Sequence, residues 1–225
     1  MRVLGVDGCR AGWVGIVVDE GHCEAMFAPK VAGLVASVGP VEGIGIDMPI
    51  GLLDRGSRTA DAAARARIGR LGRSVFSTPP RRALSAEPFA AAVAESARLS
   101  GAGVSQQAYA LRAKIFEVEE WLPRSASPVW EVHPEVSFAV ANGAALSHSK
   151  RTWAGAEERR VILSGQGLAL QGPMLPGGAS AGVDDVLDAA IAAWSAGRLV
   201  AGAGESFPAR PDQFSPDGRP IAIWA

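Results

Sequence analysis

The first 27 residues alternate between short apolar runs and turn-forming residues. Residues 3–6 and 13–18 are rich in β-branched side chains, a pattern that favours strands, and the short run over 23–27 predicts a third strand. A glycine-rich loop over 8–12 and a turn at Glu20–Gly21 separate these runs. Three consecutive strands with short links predict an antiparallel meander.

The next apolar positions repeat with the period of a helix. Between residues 30 and 38 they fall at i, i+3, i+4 and i+7, at Val31, Leu34, Val35 and Val38. A fourth apolar run, over 43–48, predicts a strand that closes at Pro49. The order strand, helix, strand across 23–48 implies a right-handed crossover and parallel pairing.

After Leu53 the pattern becomes mainly helical. Helices are predicted over 59–70, 88–100 and 106–122, with a loop over 75–84 because Pro79–Pro80 cannot continue a helix. The remaining predicted elements are a strand at 129–132, helices at 136–141, 156–163 and 183–196, a linker at 164–182 and a loop at 202–218. The last six residues fit either an edge strand or a packed tail.

Composition limits the class of protein. The chain has 225 residues, 48% of them hydrophobic, which is enough for the core of one domain spanning 1–225. Its net charge of −1 gives no overall basic field of the kind found in many nucleic-acid binders. Cys9 and Cys23 are too few for a disulfide framework. Asp7 and Arg10 interrupt the apolar N-terminus, which argues against a signal peptide.

Hydropathy adds that no apolar run reaches the roughly 18 residues of a membrane span. We therefore expect a cytoplasmic protein with no membrane segment. The sequence does not fix the oligomeric state, for which a homodimer is one option.

Two aspartates stand out against the apolar strands. Asp7 comes at the end of the first strand and Asp47 at the end of the fourth. Each alone is explained by a turn in which the carboxylate caps backbone N–H groups. Because parallel strands that end together bring such residues to one sheet edge, the pair favours a joint site.

The final predicted helix contains the stretch "DDVLDAAIAAW". Leu187, Ala190, Ile191 and Trp194 form its apolar stripe, and Asp184, Asp185 and Asp188 lie at the border of that stripe. The helix dipole explains acidic residues in the first turn, at 184 and 185. It explains Asp188 poorly, because that residue lies a turn further into the helix.

The fifth strand contributes "VWEVHPEV". Alternation places Glu131 and His133 on one face of this strand. Glu131 is either a site carboxylate or a residue on a solvated face, and His133 is either structural or a proton-transfer group. Pro134 suits the first turn of the next helix, so Glu135 is expected to complement the dipole of that helix.

Converging carboxylates favour a cation, because their mutual repulsion raises their pKa values until a cation neutralises them. Hard oxygen ligands suit Mg²⁺ or Mn²⁺. Two such ions about 4 Å apart stabilise the attacking and leaving oxygens in phosphodiester hydrolysis without a protein nucleophile. This agrees with a chain in which no Ser–His–Asp arrangement is apparent.

Motifs along almost the whole chain resemble those of known protein families. A meander with Asp on its first strand, a crossover to a second Asp and a late helix with "DxxDA" resemble the ribonuclease H fold. The stretch Asp185–Ala189 is similar to the C-terminal acidic motif of Holliday-junction resolvases. The chain more closely resembles the family called domain of unknown function 429, described as predicted ribonuclease H-like nucleases. The matching stretches are "GVDGCRAGWVG", "GIDMPIGL", "VFSTPPR", "KIFEVEEWLP", "EVHPEVSF", "SKRTWAGAEER", "DDVLDAAIAAW" and "IWA".

The resemblance implies an α/β, ribonuclease H-like fold with a mixed five-stranded sheet flanked by helices. It implies a helical insertion over 53–128, after the fourth strand. Carried over, it implies a metal-dependent nuclease whose catalytic, metal-binding residues are Asp7, Asp47, Asp185 and Asp188. Glu131 would be an auxiliary catalytic ligand.

Substrate contacts are expected from basic side chains. Arg81 is a candidate phosphate ligand because a guanidinium matches phosphate geometry. Arg10, Lys114 and His133 are further candidates for substrate binding. A local basic track for DNA or RNA requires the arginines of the helical segment to share a surface; these are Arg58, Arg65, Arg67, Arg70, Arg73, Arg81 and Arg82.

Two other functions remain open from the sequence. A non-catalytic binding or scaffold module would keep the fold and an acidic pocket, in agreement with the near-neutral charge. A phosphotransferase of the actin and sugar-kinase type shares the Asp on strand one, but it needs two such halves, and no Gly-Lys-Ser/Thr phosphate loop is present.

Overall fold

A computed structural model describes residues 1–172, 175 and 181–225. A mixed sheet of five strands forms its centre, in the order β3-β2-β1-β4-β5. These strands are β1 (Arg2–Cys9), β2 (Gly12–Asp19), β3 (His22–Ala28), β4 (Gly43–Ile46) and β5 (Val129–Glu131). The predicted linker over 164–182 lies partly outside the described residues.

The pairing of the strands confirms the predicted meander and the parallel pairing of the fourth strand. β1 pairs antiparallel with β2, and β2 with β3, whereas β1–β4 and β4–β5 are parallel. The predicted glycine-rich loop is shorter than expected, because β1 continues to Cys9 and β2 begins at Gly12. Only Arg10 and Ala11 connect the two strands.

Helices flank this sheet, and several of them follow β4 and precede β5 in the chain. They are α1 (Val31–Val38), α2 (Thr59–Ile68), α3 (Arg81–Ser85), α4 (Phe89–Ser100), α5 (Gln106–Ala110), α6 (Arg112–Trp121), α7 (Pro134–Ala141), α8 (Trp153–Gly165) and α9 (Val183–Val200). Short 3₁₀ turns occupy Gly69–Ser74 and Leu122–Arg124. None of the helices in the described part of the chain is long and apolar enough to cross a membrane.

Two local predictions differ from the structure, and a third is decided by it. The loop predicted over 75–84 ends early, because Pro80 is the N-cap of α3 and a proline at a helix start is tolerated. The helix predicted over 106–122 is divided at Leu111, where the Arg112 guanidinium donates to the carbonyl of Tyr109. The C-terminal residues form β7 (Ile223–Trp224), which pairs with β6 (Ser206–Phe207), so the edge-strand alternative is confirmed.

The sheet separates two hydrophobic clusters, because successive side chains of a strand point to opposite faces. On one face, Trp13 and Val17 of β2 pack with residues of α1 and α6. On the other face, Val14 and Ile16 of the same strand pack with α9. The length of α9 lies along this second face.

Helix α9 contacts the sheet backbone directly through small residues. A Cβ atom on Gly5 of β1 would lie 2.0 Å from the carbonyl oxygen of Ala189, and one on Gly45 of β4 would lie 2.4 Å from that of Ala192. Ala189 and Ala192 are fully buried. This close packing brings the first turns of α9, with Asp188, to the carboxyl ends of β1 and β4.

We expect Gly5→Ala to lower the free energy of unfolding by about 3 kcal/mol, because the new methyl group would overlap helix backbone. Gly33→Ala is the matched control. Gly33 lies on the exposed side of α1, and its nearest atom to an added Cβ is 3.9 Å away. The control should gain about 0.5–1 kcal/mol, since alanine is the better helix former. Urea denaturation measures both, and equal effects would contradict the direct helix–sheet contact.

Candidate metal centre

Two aspartates meet at the carboxyl edge of the sheet. Asp7 is part of β1, and Asp47 follows β4 directly. The backbone N–H of Asp47 donates to the carbonyl of Val6 at 2.9 Å, which continues the parallel pairing past the end of β4. Asp188, on α9, completes the group. One carboxylate oxygen from each of the three lies within 4.8 Å of the other two.

Burial makes this group electrostatically unfavourable on its own. Asp7 and Asp188 are buried, and Asp47 is partly buried. Desolvation raises the pKa of Asp47 to about 6 and that of Asp188 to about 7. It also raises the pKa of Asp7 well above its usual value, and the neighbouring Asp47 and Asp188 raise it further. A divalent cation would relieve this cost.

Unpartnered polar atoms indicate where such a cation fits. Asp188 Oδ1 is buried and has no hydrogen-bond partner among the described residues, nor has Oε2 of Glu135. Buried polar atoms without partners are rare in folded proteins. Three hard carboxylate ligands and a free oxygen match the preferences of Mg²⁺ or Mn²⁺. The residues present therefore fit the expected ion.

The group opens into a cleft of about 590 Å³. Its lining combines the three aspartates with His133 and Glu135 from the start of α7, and with Arg73, Lys150 and Arg151. The lining of the cleft thus combines acidic and basic side chains.

Asp185 lines the same cleft but lies outside the group of three. Its Oδ2 accepts a hydrogen bond of 2.7 Å from the N–H of Gly182, so it caps the first turn of α9. Desolvation raises the pKa of its carboxyl. Of the two helix aspartates expected to bind metal, the structure places only Asp188 against Asp7 and Asp47.

Glu131 occupies a separate buried network. Its Oε2 accepts from Arg58 Nη2 at 2.5 Å and from the N–H of Ile50 at 2.7 Å. Arg58 also donates to Thr78 at 3.1 Å. Glu131 is therefore neither on a solvated face nor in the aspartate group. It connects β5 to the start of α2, and it belongs to the framework around the cleft.

The four expected substrate-binding residues have different surroundings. Arg10 is exposed in the β1–β2 turn, and Arg81 pairs with Glu119. Lys114 Nζ donates to the carbonyl of Gly12 at 2.6 Å and lies 4.3 Å from the Trp13 ring. Only His133 among these four belongs to the described lining of the cleft.

Most arginines of the helical segment are engaged by other groups of the chain. Six of the seven make internal contacts: Arg58 with Glu131, Arg65 with the Val75 carbonyl, Arg67 with the Ala139 carbonyl, Arg70 with the Leu146 carbonyl, Arg81 with Glu119 and Arg82 with Glu95. Arg73 is the member of this set that lines the cleft. This distribution weakens the expectation of a wide nucleic-acid surface.

Sequence reasoning missed Lys150 and the site role of Glu135. Lys150 Nζ donates to Asp188 Oδ2 at 2.5 Å. Glu135 lines the cleft and pairs with the buried Arg159, rather than serving only the dipole of α7. Lys150 lies within the stretch "SKRTWAGAEER", which is one of those that resemble the family. Hydrophobic periodicity does not identify such a residue, because Lys150 lies in a loop.

A family model described as a protein of unknown function (DUF429) matches residues 5–213. The chain belongs to the DUF429 family. The matched region includes all three aspartates and Lys150. No curated protein and no solved structure matches the chain.

The charges of this DUF429 site predict a pH-dependent stability in the absence of metal. Aspartates of the unfolded chain titrate near 3.8, whereas the pKa is about 6 for Asp47 and about 7 for Asp188 in the folded protein. Between these values the unfolded chain has released protons that the folded protein retains. The contribution of the site to stability therefore falls as the pH rises from about 4 to about 7.

Asp7→Asn removes one of the three charges while its amide oxygen can still accept from the N–H of Gly8. We expect it to raise the free energy of unfolding at about pH 8 by at least about 1 kcal/mol relative to wild type in EDTA. The gain should shrink at about pH 4, where the group is protonated. Asp54→Asn, at an exposed position, is the control. Urea titrations that show no gain for Asp7→Asn would contradict the proposed repulsion.

Proposed function

We propose that this DUF429 member is a Mg²⁺- or Mn²⁺-dependent hydrolase of phosphodiester bonds in nucleic acid. One observation carries the proposal: two buried aspartates and one partly buried aspartate converge at the carboxyl edge of two parallel strands, with Asp188 Oδ1 unpartnered among the described residues. Open α/β sheets bind their ligands at this edge. The cleft above gives a substrate access to the group.

We further propose a ribonuclease H-like fold. An antiparallel meander of three strands, followed by two parallel strands and a late helix that carries Asp188, supports this assignment. In this interpretation the helical segment between β4 and β5 is an insertion over 53–128 within a single domain. The similarity concerns architecture, and the activity is argued from the site itself.

The chemistry follows from the charges of the cleft. A bound divalent ion would activate water and stabilise negative charge on a phosphate. Asp7, Asp47 and Asp188 would hold that ion. Arg73 and Arg151 on the cleft walls would bind phosphate oxygens, for which guanidinium geometry is well suited. The two-ion mechanism expected from the sequence stays a prediction.

A non-catalytic binding module is the second candidate. The internal contacts of six helical-segment arginines favour it, because they leave a narrow basic surface for a long polynucleotide. A module of this kind would bind the metal ion without cleaving phosphodiesters. Activity measurements separate the two candidates.

Hydrolysis of single- and double-stranded DNA and RNA should require Mg²⁺ or Mn²⁺ and should stop in EDTA. Asp7→Asn should reduce the rate by about 100-fold or more, since a metal ligand is lost while the fold is kept. Asp54→Asn should retain the wild-type rate. Equal activity of Asp7→Asn and wild type would contradict the nuclease proposal, and metal binding without cleavage would support the binding module.

A further inference from the structure

Lys150 is one of three lysines in the chain, and its ammonium group lies against the aspartate group. Nζ is 2.5 Å from Asp188 Oδ2 and 3.8 Å from Asp184. Its charge also lowers the pKa of Asp47, so its influence reaches beyond its direct partner. The side chain is about one-third exposed, on the side of the cleft.

The backbone around Lys150 is fixed. Glu158 of α8 accepts from the N–H groups of Ser147 and His148 at 2.7 and 2.9 Å. Thr152 Oγ1 donates to the carbonyl of Ser149 at 2.8 Å. A Cβ on Gly155 would lie 1.9 Å from that same carbonyl, so the loop is packed tightly on the first turn of α8. Lys150 is thus held at the site by its neighbours in sequence.

Charge balance limits the number of ions that such a site accepts. The three ionised aspartates carry three negative charges, and a divalent ion plus Lys150 carries three positive charges. Of the other charged residues in the lining, Glu135 is paired with Arg159, and Asp185 is accompanied by Arg73 and Arg151. A second divalent ion would leave an uncompensated excess of positive charge in a largely buried group, which is costly. The contact of Lys150 with Asp188 Oδ2 also occupies one of the oxygens that a second ion would need.

We propose that Lys150 takes the place of a second metal ion, so that the site binds one divalent cation per chain. The inference rests on the proposed function and replaces the two-ion mechanism of phosphodiester hydrolysis with a one-ion mechanism. An ammonium group has three N–H donors, of which Asp188 uses one. The others are available to the oxygens of a substrate phosphate, where a second ion would otherwise act.

Mn²⁺ bound in the presence of inorganic phosphate tests this inference, with electron paramagnetic resonance to count bound ions and to detect spin-coupled pairs. Wild type should show one isolated Mn²⁺ at saturation and no coupled pair. Lys150→Met should bind two ions as a coupled pair. It should also bind the first ion at least about fivefold more tightly, because a nearby positive charge is gone. Lys150→Arg should keep the count at one.

Two controls keep the result interpretable. Lys30→Met removes an exposed lysine paired with Glu117 and should behave as wild type. Lys150→Gln, which keeps a donor toward Asp188, serves as the second neutral variant if Lys150→Met does not fold. Circular dichroism verifies the fold of each variant.

The remaining outcomes separate this inference from the proposed function. A coupled Mn²⁺ pair in wild type would overturn the one-ion inference and leave the hydrolase proposal standing. Weaker binding or an unchanged count in folded Lys150→Met and Lys150→Gln would also overturn it, since Lys150 would then only position Asp188. Absence of saturable binding in wild type, or undiminished binding in Asp7→Asn, would overturn both.

Discussion

The direct contact of α9 with the sheet is the constraint on which the candidate site depends. Gly5 and Gly45 have no side chain between the sheet and the backbone of α9. The buried alanines of α9 are small enough for the helix backbone to contact the strands directly. A larger residue at either glycine would move the helix outward. Since Asp188 lies on this helix while Asp7 lies on β1, their separation is set by backbone packing. Small residues that neighbour the three aspartates in sequence thus determine the geometry of the candidate site.

That geometry opposes stability, because three partly or fully buried carboxylates raise each other's pKa and lose hydration. Lys150 compensates part of this cost, and hydrogen bonds from its loop to Glu158 of α8 position it beside Asp188. Glu131 and Arg58 show the other solution, a buried charge pair whose members also bond the N–H of Ile50 and the hydroxyl of Thr78. Among the described residues, the unpartnered atom of that pair is Arg58 Nε, a donor that cannot hold a cation. The unpartnered atom of Asp188 is a carboxylate oxygen beside the cleft, which can.

The sequence allowed the sheet to be predicted well, since apolar period and short turns specify the meander and the crossover. Asp7 and Asp47 could be paired because each ends a parallel strand. The surroundings of Glu131 could not be predicted, because its partner Arg58 is 73 residues away. The alternation of side chains along a strand predicts which face Glu131 lies on, but not which residue it contacts. Lys150 was missed for a similar reason, since its contact with Asp188 joins a loop to a distant helix. The division of the predicted helix at Leu111 carries no glycine or proline signal in the sequence.

The three aspartates come from positions far apart in the chain, with Asp7 near its beginning and Asp188 on α9. During synthesis, the sheet strands emerge long before α9, so an unfinished chain offers only two of the three carboxylates. Two ligands bind a divalent ion weakly, and Lys150 lacks its partner until Asp188 arrives. The site therefore assembles only after the last long helix has packed on the sheet. Metal binding by the three aspartates would in this sense be a marker of completed folding.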